Sequence, residues 1–178
     1  MDASCCSTQA DTPRGESLIV QYKPLIVIVG LITLVTLAIA ARDFSVTGYI
    51  DTSSAMMNFM AGFFLVFSGL KLMDIAGFAR GYGMYDLLAA KLPAYGYVYP
   101  FLELALGLAY LTRFDIHTTN IVTVVLMSFS ALGVARSLVQ KKQFQCACLG
   151  TLLKVPLTKI ALIEDLSMAV MAAIMLIR

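Results

Sequence analysis

Charged residues are scarce in this sequence. They make up 13% of the 178 residues, whereas 60% of the chain is hydrophobic. A soluble domain of this size has about a quarter charged residues and under half apolar ones. The chain has too much apolar surface to hide from water by folding, which excludes a soluble globular protein and indicates a membrane protein.

Histidine is rare and the net charge is small, and both features exclude further classes of protein. His117 is the single histidine, and no residue near it completes a metal or acid–base site. The net charge of +2 is too small for a nucleic-acid-binding surface. The four cysteines form two close pairs, Cys5-Cys6 and Cys146/Cys148, rather than the spaced set of a small secreted disulfide scaffold. Redox or metal chemistry therefore explains them better than structural cross-linking.

Long apolar runs make up most of the sequence. A spanning helix needs roughly 20 apolar residues, and the runs predict an all-α polytopic membrane helical bundle of about five transmembrane helices. They lie at residues 24–41, 55–79, 95–112, 118–139 and 156–177.

The first run follows a polar stretch without an A-x-A-like cleavage site and is predicted to be an anchor rather than a signal peptide. The segment 84–92 is predicted to lie at the membrane interface. Residues 1–22 are then a flexible cytoplasmic tail, and 23–178 form one transmembrane domain with a Cys-x-Cys loop at 140–155.

The lysines and arginines are sorted by side. With five crossings, all of them except Arg42, Arg113 and Arg178 lie on or near the side of the membrane that has the tail and the second and fourth connections. The positive-inside rule then predicts that the amino terminus and the Cys-x-Cys loop face the cytoplasm of a bacterial inner membrane.

Several ionisable residues lie inside or close to the apolar runs: Lys71, Asp74, Glu103, Arg136, Glu164 and Asp165. A charge at the bilayer centre costs at least about 2.5–3.5 kcal/mol, so such groups are usually paired or functional. Their positions predict that they share the membrane face that carries Cys146 and Cys148. Glu103 has no local partner and is predicted to be a proton carrier or a partner of Lys71 or Arg136.

Local explanations exist for the other charges. Lys71 and Asp74 are three residues apart on a helix and form an interfacial ion pair in one interpretation. Glu164 and Asp165 lie in the second turn of their helix, where a negative charge offsets the helix dipole. A structural role is favoured for these two carboxylates.

Cys146 and Cys148 are separated by one residue and flanked by Lys141, Lys142, Lys154 and Lys159. Nearby cations favour the reactive thiolate form. A disulfide between the two would close a small, strained ring, and strained disulfides exchange readily. Soft thiolates also bind Cu(I) or Zn(II), so a metal site is the alternative. Two inert buried thiols are the third explanation.

Four short motifs follow one another along the chain. They are KLMDIAGFA at 71–79, YDLL at 85–88, PFLELALG at 100–107 and CACLG at 146–150. As an ordered set over residues 55–178 they resemble the MauE family of methylamine-utilisation membrane proteins, which is related to DoxX. The resemblance implies a four-helix DoxX-like core plus one helix, and a link to thiol–disulfide handling, in MauE itself to maturation of the disulfide-rich small subunit of methylamine dehydrogenase. It implies that Cys146 and Cys148 are the redox motif and that Glu103 is the intramembrane carboxylate. Ala147 and Leu149 stand where family members often have Gly and Phe.

The leading hypothesis is an inner-membrane thiol–disulfide redox protein, with a thiol–disulfide oxidoreductase as one possible form of it. Cys146 and Cys148 would pass reducing or oxidising equivalents to a thioredoxin-like protein or disulfide-rich client, with Glu103 managing protons. The alternative is a membrane transporter or chaperone for a soft metal such as copper or mercury. In that case Cys5-Cys6, which lies outside the matched region, captures the ion and passes it to Cys146/Cys148. A purely structural subunit is the third hypothesis, and an oligomer is compatible with each.

Overall fold

The computed structural model describes residues 18–83, 93–139 and 158–177, and within these ranges the chain is helical with short connections and no strand. The helices are α1 (Leu18–Thr47), α2 (Thr52–Met73), α3 (Ile75–Tyr82), α4 (Pro93–Thr112), α5 (Ile116–Val139) and α6 (Thr158–Ile177). The all-α prediction is confirmed. The predicted interfacial segment at 84–92 and the predicted loop at 140–155 lie outside the described residues.

The chain is a multi-pass membrane protein. Within the described ranges three segments are long and apolar enough to cross a bilayer: Lys23–Thr47, Thr52–Met73 and Ile116–Arg136. Helices α4 and α6 have 20 residues each, which corresponds to a length of about 30 Å. Glu103 in α4 and the pair Glu164 and Asp165 in α6 lie among apolar residues and lower the mean hydropathy of these helices. Crossing by α4 and α6, which the five-helix count requires, stays a prediction.

The first helix is longer than the sequence predicts. The sequence predicts a helix that begins at Pro24, whereas the structure places Pro24 inside α1, which also includes residues 18–22 of the predicted tail and extends to Thr47. A proline inside a helix removes one backbone hydrogen bond. Membrane helices tolerate this loss because neighbouring groups satisfy the freed carbonyl.

The predicted second helix is broken at Asp74. This residue has φ −138° and ψ 68°, and it ends α2 and begins α3. Its carboxylate accepts a hydrogen bond from the backbone N–H of Gly77 at 2.9 Å. Aspartate side chains compete with the helical backbone for such bonds and therefore favour caps over helix interiors. The continuous span predicted at 55–79 is thus replaced by two helices.

Helices α2, α4, α5 and α6 form a four-helix core. Within it α2 packs along α4 and α5 along α6, while α3 rests mainly on α4 and α1 on α2. This agrees with the core-plus-one arrangement that the family resemblance implies. Large side chains fill the interior, among them Met60, Phe64, Phe67, Met127 and Met168. Leu34 and Val35 of α1 are among many exposed apolar side chains, as expected for a helix that faces lipid.

Two glycines of α4 allow close helix contacts. A Cβ atom on Gly107 would lie 3.0 Å from the backbone N of Leu65, and one on Gly96 would lie 3.2 Å from the Cα of Ala79. Small residues permit such approach between membrane helices. Because the contacts run in opposite directions along the chain, α4 is antiparallel to α2 and α3.

Hydrogen bonds fix the turn between α4 and α5. Arg113 has a φ of 55° and Asp115 a φ of 34°, values that few residues other than glycine adopt. The Arg113 guanidinium donates to Ser54 Oγ at 2.6 Å, which ties the end of α4 to the start of α2. Hydrogen bonds from the side chain and backbone of Thr118 hold the pKa of the exposed Asp115 carboxyl below its ordinary value.

Candidate functional site

A buried ion pair lies between α2 and α4. Lys71 Nζ is 2.5 Å from both carboxylate oxygens of Glu103, and the two residues are only 5% and 4% exposed. Glu103 lies between Gly96 and Gly107 on the face of α4 that α2 and α3 approach. Taking two charges out of water costs several kcal/mol per ion unless good geometry and further hydrogen bonds compensate. The neighbours of the pair therefore have to supply additional interactions.

Aromatic rings enclose the lysine. Lys71 Nζ lies 5.4 Å from the ring centroid of Phe78 in α3 and 5.1 Å from that of Tyr99 in α4. Cations are attracted to aromatic rings within about 6 Å. Tyr82 packs against both rings, at centroid distances of 5.1 Å from Phe78 and 4.6 Å from Tyr99. These three aromatic residues are at most 2% exposed, so α3 and α4 together shield the ion pair from water.

Polar side chains extend from Glu103 across the bundle. The Tyr99 hydroxyl group lies near the Glu103 carboxylate and near Ser130 in α5. Ser130 Oγ lies 2.7 Å from Asp165 Oδ2 in α6, to which it donates. Tyr99 precedes Glu103 by four residues, so both lie on one face of α4. The neighbouring polar residues Lys71, Glu103, Tyr99, Ser130 and Asp165 are called the polar chain below, and every helix of the four-helix core contributes to it.

Glu164 adds another carboxyl group to this region. It is half-buried, and its Oε1 atom is buried without a hydrogen-bond partner among the described residues. Its charge interacts with those of Lys71, Asp165 and Glu103. In the described part of the site, carboxyl groups therefore outnumber the single ammonium group in a medium of low dielectric constant. Such a site is suited to holding and exchanging protons.

A second buried polar cluster lies near the α4–α5 turn. The Tyr110 hydroxyl donates to Asn120 Oδ1 at 2.8 Å and lies 3.0 Å from Thr123 Oγ1. Thr123 donates to the Thr119 carbonyl at 2.8 Å. These side chains are neutral and satisfy one another, so the cluster joins α4 to α5 and has a structural role.

Comparison with known proteins identifies the family of this chain. The family model of the methylamine utilisation protein MauE matches residues 50–178, well over half of the sequence. The chain belongs to the MauE family. No curated protein and no solved structure matches it significantly. The MauE match includes α2 to α6 and the whole polar chain, and it confirms the resemblance carried by the four motifs.

Four of the charged residues expected to share one face of this MauE family member do come together: Lys71, Glu103, Glu164 and Asp165. Of the two partners predicted for Glu103, Lys71 is the one observed. Arg136 is exposed in the last turn of α5, and Asp74 caps α3. Neither observation bears on the membrane face at which these two residues lie, so the face predicted for all six charged residues stays a prediction.

All four cysteines lie outside the described residues. This applies to Cys5 and Cys6 and equally to Cys146 and Cys148, so their redox or metal roles stay predictions. Within the described ranges no group of three or more His, Cys, Asp or Glu side chains is arranged to hold a metal ion. The Cys146/Cys148 pair falls in sequence between the end of α5 and the start of α6.

Tyr99 and Ser130 are the site residues that sequence reasoning missed. A signal for Tyr99 was available, because it lies one helical turn before Glu103 and its hydroxyl needs a partner when buried. No such signal marks Ser130, which resembles any small residue packed in a membrane helix. Its hydrogen bond also gives Asp165 a tertiary contact, whereas the helix dipole alone was expected to explain that carboxylate.

Proposed function

We propose that this MauE family member is an inner-membrane thiol–disulfide redox protein in which Cys146 and Cys148 cycle between dithiol and disulfide. The observation that supports the proposal is the polar chain, because Ser130 and Asp165 belong to the two helices that flank the cysteine pair in sequence. Thiol–disulfide exchange requires the attacking thiol to lose a proton and the departing thiolate to gain one. Carboxyl groups buried among hydroxyl groups can supply and accept such protons.

The partner that fits this chemistry is a protein with a dithiol or disulfide of its own, either a thioredoxin-like carrier or a disulfide-rich client. The family description, methylamine utilisation, supports a client in that process. The distribution of lysine and arginine supports an orientation with the amino terminus and the cysteine pair on the cytoplasmic side. Reducing equivalents would then pass from the cytoplasm toward a client.

Trapping of mixed disulfides in cells tests the proposal. In Cys148→Ser or Cys146→Ser, the remaining thiol cannot complete an intramolecular disulfide, so one of the two variants should accumulate a mixed disulfide with its partner after rapid acid quenching and alkylation. A variant with both Cys5→Ser and Cys6→Ser is the matched control and should keep the wild-type Cys146–Cys148 disulfide. If neither single variant traps a partner and the wild-type pair never oxidises, the redox proposal is wrong.

Metal analysis of the same preparations separates the soft-metal alternative. A copper-type carrier would bind the ion in the wild type, lose it in the Cys146→Ser variant and form no mixed disulfide. A redox protein should show the opposite pattern. Labelling of the thiols with a membrane-impermeant maleimide from each side then reports the orientation, and reaction from the periplasmic side alone would contradict it.

A further inference from the structure

An apolar groove of about 250 Å³ lies between α4 and α5. It exists because α4 packs mainly on α2, and α5 packs mainly on α6, so that these two consecutive helices touch each other over a small area. Its α5 side extends from Asp115 to Leu126. Its α4 side repeats at the spacing of one helix face and consists of Leu102, Ala105, Leu106 and Ala109.

The groove has the length and the polarity of one lipid leaflet. The eleven steps from Asp115 to Leu126 correspond to about 16 Å along a helix, and half of the hydrocarbon core of a bilayer is about 15 Å thick. The segment Ile116–Arg136 is long and apolar enough to cross the membrane, which puts the turn before it at one membrane surface. The groove therefore runs from that surface towards the middle of the bilayer, as a lipid tail does.

The surface end of the groove carries a negative charge. Asp115 is exposed there, and its Oδ1 atom accepts a hydrogen bond of 3.4 Å from the backbone N–H of Thr118 at the start of α5. The nearby cation Arg113 donates instead to Ser54 of α2. Within the described ranges no lysine or arginine pairs with Asp115. Its carboxylate can therefore attract a cationic headgroup and repel an anionic one.

We propose that the groove binds one acyl chain of an aminophospholipid whose ammonium group lies at Asp115. Lipid tails are as apolar as leucine, so the chain gains no hydrophobic free energy by leaving the bilayer. Packing in the groove holds the tail, and the charge of Asp115 selects the headgroup. An α-helix with its side chains is about 10–12 Å wide, so a neighbouring helix could place only a few side chains in this volume. The site goes beyond the proposed redox function and does not depend on it.

Native mass spectrometry of the full chain tests the headgroup selection. The protein is purified in a mild detergent and given equal amounts of phosphatidylethanolamine and phosphatidylglycerol with identical acyl chains. We expect it to retain phosphatidylethanolamine in preference by a factor of about two to five, the effect of one exposed ion pair. Asp115→Asn should bind both lipids equally. A wild type without this preference, or a preference that Asp115→Asn keeps, overturns the proposal.

Asp43→Asn is the matched control for the headgroup test. Asp43 lies near the end of α1, and α2 begins after the connection that follows it. The contact of Arg113 with Ser54 places the α4–α5 turn at this same end of the bundle. Asp43 is thus an acidic residue at the same membrane surface but outside the groove, and its substitution should leave the preference unchanged. A preference that is lost equally in both variants reflects surface charge in general and overturns the proposal.

Ala105→Phe tests the position of the acyl chain. Ala105 is an exposed residue of the groove wall, so a phenylalanine ring can fill the groove without overpacking the core. This variant should retain neither lipid while its circular dichroism stays that of the wild type. Ala38→Phe, at another exposed alanine, in α1, is the control and should retain lipid as the wild type does. Unchanged lipid retention in Ala105→Phe overturns the proposal, and so does a lipid-free wild-type dimer that Ala105→Phe dissociates, because a second copy would then cover the groove.

Discussion

Loss of either charge in the Lys71–Glu103 pair is expected to destabilise the bundle strongly. In Glu103→Gln the side chain keeps nearly the same volume, but the Lys71 ammonium stays buried without the carboxylate 2.5 Å away. Removing one partner of a buried pair costs about 3–5 kcal/mol, because the other charge is left uncompensated. Glu164 also faces Lys71, so we expect the lower end of this range, about 3 kcal/mol. Lys71→Met leaves Glu103 charged beside the other carboxyl groups and should cost more.

A double-mutant cycle separates the pair from general damage to the core. The double variant Lys71→Met/Glu103→Gln removes both charges, so its free energy of unfolding should lie well above the value that additive effects would give, with a coupling energy of about 2–3 kcal/mol. Equilibrium unfolding in mixed detergent micelles, followed by circular dichroism, provides these free energies. Arg136→Gln is the control, an exposed cation whose loss should cost below about 1 kcal/mol. A cost below about 1 kcal/mol for Glu103→Gln, or additive effects of the two single substitutions, would refute the interpretation of the pair as a contact that is shielded from water.

Further predictions concern the turn region and the helix contacts. Tyr110→Phe leaves its buried hydrogen-bond partners unsatisfied and should cost about 1–3 kcal/mol of unfolding free energy, whereas the same change at the exposed Tyr49 should be close to neutral in the same assay. Gly107→Ala pushes a Cβ into the backbone of α2 and should cost about 1–3 kcal/mol, while Gly30→Ala, with open space around it, should be neutral or stabilising. Because the pKa of Asp115 is lowered in the folded state, its contribution to stability is present above its unfolded-state pKa and is lost as the pH falls through its folded-state pKa. Asp115→Asn should flatten the acid limb of a stability-against-pH curve, and an unchanged limb would contradict this.

Composition and apolar runs were sufficient to predict an all-helical membrane protein and most helix positions. The departures have local causes that a hydrophobicity pattern does not encode. Asp74 lies in an apolar run, yet its side chain caps a new helix. Pro24 is a residue type favoured at helix starts, yet it is tolerated inside α1. Sequence periodicity reports which residues are apolar, not where a backbone hydrogen bond is exchanged for a side-chain one.

The candidate site was predicted only in part. Glu103 was identified as a carboxylate in need of a partner, and Lys71 was one of two partners considered. The sequence could not decide between them, because the choice depends on the register of α2 against α4, which the glycines of α4 help to fix. Ser130 was not identifiable, since its role depends wholly on contacts with residues of two other helices.

Because of the short helix α3, sequence changes can alter the surroundings of Lys71 more easily than those of Glu103. Glu103 lies on a helix of the four-helix core, whereas one of the rings against Lys71 belongs to an eight-residue helix attached to α2 through a single non-helical residue. Substitutions in α3 can therefore alter the hydration of the lysine while both charged side chains and the α5–α6 contact stay as they are. In evolutionary terms, the strength of this electrostatic interaction can be adjusted from a peripheral segment without rebuilding the interior.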